Sequence, residues 1–337
     1  MRRGMFQITA ATAAALTLVC AACSGGTASG SADDDGPWAP TGSIEYIAPA
    51  GAGGGWDTLA RTSANVLEGS DLIDVRLPVT NMEGGGGSIG WSHVASKESD
   101  PHTLFVTSPP IILVPLSGAS PHDHTDFTPI ARLIADYSVY GVAADSDIQT
   151  AEDLFAEIAA DPRGFSIGGG SAVGSMDHIA IAGAAGAAGV SAADVNYISF
   201  EGGGEALLAT VGGHTDAVVT DVASAIPLVA SGDVRIVAVS SEERVEALPD
   251  VPTLQESGID FTFDIWRGVM GPAGLTDAQV AYYEQLFADM LELDTWATER
   301  DRLGWDDAYM DSAEFGVFLD EQSTQFESIL TDIGLSS

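Results

Sequence analysis

The sequence predicts an α/β fold of two lobes joined by two crossing segments, and three observations predict it. Apolar, β-rich segments alternate with amphipathic helical ones from residue 44 onward. Four glycine clusters fall where a strand should hand over to a helix. Two apolar stretches, residues 126–142 and 261–270, break the rhythm and are long enough to pass from one lobe to the other.

Taken in order, residues 44–48 read as a strand, 58–67 as a helix, 73–79 as a strand, 89–96 as a helix and 103–107 as a strand. This βαβα order implies parallel strands with crossover helices. After the crossing at DFTPIARLIADYSVYGV, a second α/β unit follows. Its helices are expected at 151–159, 176–188, 205–211 and 222–230, and its strands at 165–168, 195–199, 217–220 and 235–239. Three helical segments close the chain, at 277–291, 295–303 and 313–333. The resulting division is residues 42–135 in lobe 1, 136–265 in lobe 2, and 266–337 returning to lobe 1. No repeat of solenoid period is present.

Composition narrows the function. Twelve Lys and Arg face 49 Asp and Glu among 337 residues, a net charge of −37, and Lys97 is the only lysine. A nucleic-acid partner is excluded, because phosphate neutralisation needs clustered cations. An anionic ligand would have to be held by local dipoles against the global field.

The N-terminus reads as an export signal. Arg2 and Arg3 precede an apolar run of about 12 residues, short of the roughly 20 of a membrane-spanning helix, and Ala21, Ala22 and Cys23 follow. This resembles a bacterial lipoprotein signal: residues 1–22 are removed, Cys23 becomes the lipid-modified first residue, and residues 23–41 form a flexible tether. Cys20 stands where that signal usually carries leucine, and ordinary cleavage with free secretion is the alternative. Lipidation would place the protein outside the cytoplasm, anchored to the outer face of the cell membrane or in a periplasm.

The glycine clusters are GAGGG at 51–55, GGGG at 84–87, GGGS at 168–171 and GGG at 202–204. In parallel α/β sheets such turns lie at the carboxyl ends of strands, where ligands bind. Glycine allows close backbone approach, and the helix beyond presents unpaired N–H groups with a partial positive charge. Two such turns from each lobe would line a cleft with amide donors, and the guest they suit is a carboxylate.

Three motif look-alikes compete with that reading. Gly85, Gly87 and Gly90 satisfy G-x-G-x-x-G, but the next strand ends in Thr107, Ser108, Pro109 and Pro110 rather than the acid a dinucleotide ribose needs, so no nucleotide cofactor is expected. Gly86 to Gly90 also spells G-x-S-x-G. A secreted serine hydrolase would use Ser88 with Asp177 or Asp126 and His178 or His214, yet residues 81–87 separate the serine from the preceding strand. His122, Asp123, His124 and Asp126 read as a solvated loop rather than a metal site. A surface adhesin without a small ligand is a third reading.

Eight segments then carry a resemblance over nearly all of the mature chain: APAGAGGGWDTLAR (48–61), EGGGGSIGWSHVA (83–95), DFTPIARL (126–133), GGGSAVGSMDH (168–178), VGGHTDAVV (211–219), SGDVRIVAVSSEER (231–244), LPDVPTLQESG (248–258) and WRGVMGPAGL (266–275). In order and spacing they resemble the solute-binding component of tripartite tricarboxylate transporters, the TctC or Bug receptor family. The resemblance implies a periplasmic-binding-protein fold of the two-lobed Venus-flytrap, type II-like kind. It also implies a non-enzymatic receptor that closes over a small di- or tricarboxylate and delivers it to membrane permease subunits.

Carried over by position, the first binding loop contains Ala50, Gly51, Gly53, Gly54, Gly55, Trp56 and Asp57, and the second Gly85, Gly86, Gly87 and Ser88. Ser108 lies on a strand end facing the cleft. The opposite lobe would supply Ser171, Ser175, His178, Gly203 and Asp221. Trp266 and Arg267 stand at the return crossing, to touch ligand or only to pack the hinge. His178 either donates to the ligand or bonds its own backbone. Trp56 departs from a usually small or polar site, Glu83 from a common proline, and Pro109–Pro110 stiffens a loop facing the cleft.

Overall fold

The computed structural model describes residues 37–332; the export signal, Cys23 and most of the tether lie outside the described residues. The first half of the chain runs β1 (Glu45–Ala48), α1 (Gly55–Glu68), β2 (Val79–Asn81), a 3-10 turn at Gly85–Gly87, α2 (Ser88–Ala95), β3 (Thr103–Thr107) and α3 (Pro110–Leu116). One long strand, β4 (Phe127–Ala143), follows. Beyond it come α4 (Ala151–Ala160), β5 (Ser166–Gly169), α5 (Met176–Ala187), β6 (Asn196–Ser199), α6 (Gly203–Val211), β7 (Ala217–Asp221), α7 (Val222–Ser231) and β8 (Val234–Val239). The chain returns along β9 (Asp264–Pro272) and ends with α8 (Asp277–Leu291), α9 (Asp294–Leu303), β10 (Asp306–Met310) and α10 (Ser312–Asp332).

β4 explains the two lobes. Its 17 residues span about 55 Å at roughly 3.3 Å each, longer than one layer of side chains can cover. Its first part pairs antiparallel with β9, from Phe127 opposite Pro272 to Tyr137 opposite Asp264, and with β10. β9 continues through β3 to the parallel trio β3-β1-β2, with Tyr46 opposite both Leu104 and Val79. From Ser138 onward β4 pairs instead with β7 and β8, and β7 leads to parallel β5 and β6. One strand thus belongs to two twisted sheets, each with its own helices.

Local chemistry sets the element boundaries. Thr150 with Asp153 and Thr276 with Gln279 form reciprocal capping boxes that start α4 and α8. Gly232 and Gly304, both left-handed, end α7 and α9. Fully buried Trp266 packs edge-on against Phe315 and Phe318 of α10, fixing the last helix over the return strand.

Most expected elements differ from the observed ones by a residue or two; α1 starts three residues earlier than expected and β9 three later, and three other readings differ more. The strand expected over 73–79 forms only at Val79–Asn81, because Pro78 has no N–H to donate; the carbonyls of Arg76 and Pro78 still accept from Ile44 and Tyr46. Pro109–Pro110, expected in a stiff loop, instead begins helix α3, since proline fits a first helical turn whose N–H groups are unpaired in any case. β10 was not expected: Asp306, Asp307 and Tyr309 are exposed, so it lacks the apolar signature of a strand.

Candidate functional site

The glycine turns of both sheets face one cleft of about 750 Å³, its open mouth included. On one wall α1 starts at Gly55 with Gly54 as N-cap, and on the other α6 starts at Gly203 with Gly202 as N-cap; neither glycine can cap by side chain. α5 begins at Met176 beyond Ser175, whose hydroxyl makes no capping bond. Three helices of 14, 12 and 9 residues therefore present first-turn amides toward one space.

Two close approaches make the walls. A Cβ on Gly170 would lie 2.1 Å from the Gly203 nitrogen, so the turn after β5 rests directly on the start of α6. Gly84, Gly85, Gly86 and Gly87 all have positive φ, a run that only glycine adopts without strain. At Gly86 a Cβ would stand 3.1 Å from Val114 and 3.4 Å from Ala172, which belongs to the opposite wall.

Of the residues expected from sequence, Ala50, Gly54, Gly55, Trp56, Gly86 and Gly87 line the cleft from one side. Ser171, Ser175, Gly203 and Asp221 line it from the other. The rest occupy supporting positions. Gly51 supplies the carbonyl that accepts from Gly54, and Gly53 donates its N–H to Asp57 Oδ2 at 2.9 Å. Asp57 Oδ1 accepts from Arg61 Nε and Asn81 Nδ2, both at 2.8 Å. Burial opposes the charge on Asp57, but the bonds from Arg61, Gly53 and Asn81, with the Arg61 charge, outweigh it and hold the carboxyl below its usual range. Asp57 thus fixes the first loop. Replacing it with alanine is expected to cost about 2 kcal/mol in urea unfolding and to weaken ligand binding by freeing Gly53.

Ser108 accepts from Trp56 Nε1 at 2.8 Å and so orients the indole that forms part of the wall. Gly85 accepts from the Ser88 N–H, and Ser88 itself opens α2. Because residues 82–87 separate Ser88 from β2, it does not occupy a strand-end elbow. His178 accepts the Gly174 N–H on Nδ1 at 3.0 Å and stacks on Tyr197 at 4.7 Å. Burial pulls its pKa to about 4, leaving a neutral ring bonded to its own backbone. Trp266 points away from the cleft and its neighbour Arg267 points in, because successive strand residues face opposite sides.

Arg267, expected either to touch ligand or only to pack the hinge, and Asp177, weighed from sequence only as a partner for Ser88, carry the electrostatics. Arg267 is 1% exposed and lies against Gly55, where a Cβ would come within 2.1 Å of Nη1. Its Nη2 sits 3.2 Å from Asp136 and 3.6 Å from Asp221. Asp136, also bonded by Trp305 Nε1 at 3.3 Å, is pushed up to about 7 by burial and the nearby Asp221 charge, which outweigh Arg267. Burial and Asp221 likewise raise Asp177 to about 7, against bonds from Gly170 and Ser171 and the charge of Arg267. No sequence spacing marks these acids, since they come from β4, α5 and the cap of α7 and meet only in the fold.

Two α/β lobes built on a shared strand, with helix N-termini gathered around the cleft between them, define a solute-binding receptor. The chain belongs to the tripartite tricarboxylate transporter family receptors, TctC, whose family model matches residues 71–335. It is 29% identical over 255 residues to Protein BugT of Bordetella pertussis, covering 72% of this chain and 73% of that one. A TctC solute-binding protein from Polaromonas, solved without ligand, is 29% identical with a TM-score of 0.64 over 87% of this chain and 99% of its own. MatC from Rhodopseudomonas palustris, solved with bound malate, is 22% identical with a TM-score of 0.76 over 86% and 99%.

Proposed function

We propose that this receptor captures a small organic acid by its carboxylate in the interlobe cleft and delivers it to the permease subunits of a tripartite tricarboxylate transporter. The observation that carries the reading is the convergence of the α1, α5 and α6 N-termini on one space. Each supplies N–H donors and the positive end of a helix dipole, so a chain of net charge −37 can still hold a negative group. The malate held by the MatC relative agrees with an acid as guest. Closure of the lobes about β4 and β9 would exclude water from the bound carboxylate. Lipid attachment at Cys23, with the receptor on the outer face of the membrane or in a periplasm, completes the proposal.

Thermal unfolding tests it with a panel of small mono-, di- and tricarboxylic acids and their amides. At 100 times its dissociation constant, a bound acid is expected to raise the Tm by about 5 °C. Its amide is expected to leave the Tm unchanged. Equal shifts from an acid and its amide would refute carboxylate recognition.

A further inference from the structure

The cleft is short of positive charge in a way that a bare carboxylate does not repair. Among its described lining residues, Glu83, Asp177, Glu201 and Asp221 are acids and Arg267 is the one base. Arg267 is already engaged by Asp136 and Asp221. Asp177 is 2% exposed and its Oδ1 is buried without a hydrogen-bond partner, although the Gly170 N–H and the Ser171 hydroxyl bond the carboxylate. One residue before the start of α5, the Ser175 hydroxyl is also buried and unpartnered on the cleft wall. A buried polar atom left unpaired is costly; of these two on the wall of a ligand cleft, Asp177 Oδ1 calls for a donor from the ligand.

Resting on the carboxylate reading above, we infer that the preferred ligand is zwitterionic: its carboxylate is held by the α1 and α6 amides and its cationic nitrogen donates to Asp177 Oδ1, because Asp177 in the first turn of α5 offsets that helix's positive end. At pH 8, where Asp177 is ionised, a hydroxyl could donate to Oδ1 but would leave that charge without a counter-ion from the ligand. An ammonium supplies both donor and charge. Ser175, with a hydroxyl that donates or accepts, completes the shell around that nitrogen. Asp177 is therefore the specificity-determining residue of the cleft.

Isothermal titration calorimetry at pH 8, above the Asp177 value of about 7, with acids paired on one carbon skeleton, with and without the 2-ammonium, tests this. The pairs are propionate and alanine, succinate and aspartate, glutarate and glutamate, and 3-phenylpropionate and phenylalanine. In the best-fitting pair the ammonium compound is expected to bind at least tenfold more tightly, as a charge-assisted bond implies. Asp177→Asn, near-isosteric and checked for folding by circular dichroism, is expected to reduce that ratio to about threefold or less. A ratio near one in the wild type, or a preference that survives Asp177→Asn, would overturn the inference while leaving carboxylate binding intact. Malate bound as tightly as aspartate would overturn the requirement for a cation. Absence of binding by both members of every pair would overturn the carboxylate reading and this inference together.

Discussion

Arg267→Met is expected to lower the unfolding free energy at pH 8 by about 3–5 kcal/mol, the usual cost of stripping one partner from a buried ion pair. The side chain is 1% exposed, and it lies within 3.2 Å of Asp136 and 3.6 Å of Asp221. Removing it leaves three aspartates, with Asp177 the third, in one poorly solvated region without a counter-charge. The loss is expected to shrink to less than half by pH 5.5, because Asp136 and Asp177, both at about 7 even with the arginine present, then fold in their neutral forms. Methionine replaces much of the buried stem volume, so the pH dependence reports charge rather than a cavity. Urea unfolding of both proteins at the two pH values measures it. An equal loss at pH 8 and pH 5.5 would show that Arg267 acts by packing and not by compensating the acids.

The sequence made the fold legible because its signals are local. Alternating apolar segments, threonine caps such as Thr150 and Thr276, and terminal glycines such as Gly304 each act within a few residues, and the elements they delimit form close to where they were expected. The failures also have local causes: Pro78 shortens β2, and Pro110 begins a helix where two prolines suggested a loop. A 17-residue β4 was readable as a long crossing, but not as one strand shared by two sheets, since pairing partners far along the chain decide that, from Val218 opposite Gly141 to Pro272 opposite Phe127.

The binding cleft was legible in part for the same reason. Glycine clusters advertise close backbone approach, and they supplied Gly54, Gly55, Gly86, Gly87 and Gly203 of the lining. The charged constellation did not announce itself. Arg267 and Trp266 are neighbours on one strand, and only the side of β9 that meets the cleft decides between them. Asp136, Asp177 and Asp221 are ordinary acids among 49 acidic residues until the fold removes water from all three.

Wild-type stability is expected to fall as pH rises from about 5 to 7.5 and then to level, and Asp177→Asn is expected to flatten that decline. In this range the folded chain retains protons on Asp136 and Asp177, whose carboxyls stand at about 7, while an unfolded aspartate titrates near 3.9. The folded state therefore binds more protons than the unfolded one, and stability decreases with pH by at most about 1.4 kcal/mol per unit for each such group. The groups facing Asp177 do not blur the assignment. Tyr140 and Tyr197 are raised by burial and by the Asp177 charge, and His178 is held neutral by burial. Asp221 and Arg267 remain in both proteins. Asparagine carries no proton to release, so the variant is expected to be more stable than the wild type at pH 8 and less dependent on pH below it. Repulsion among the surface acids contributes to both curves and cancels in their difference. Parallel urea-midpoint curves from pH 4.5 to 8.5 would show that Asp177 ionises as an ordinary carboxylate. Greater stability with loss of ligand discrimination would mean that a destabilising buried charge at Asp177 is retained for recognition.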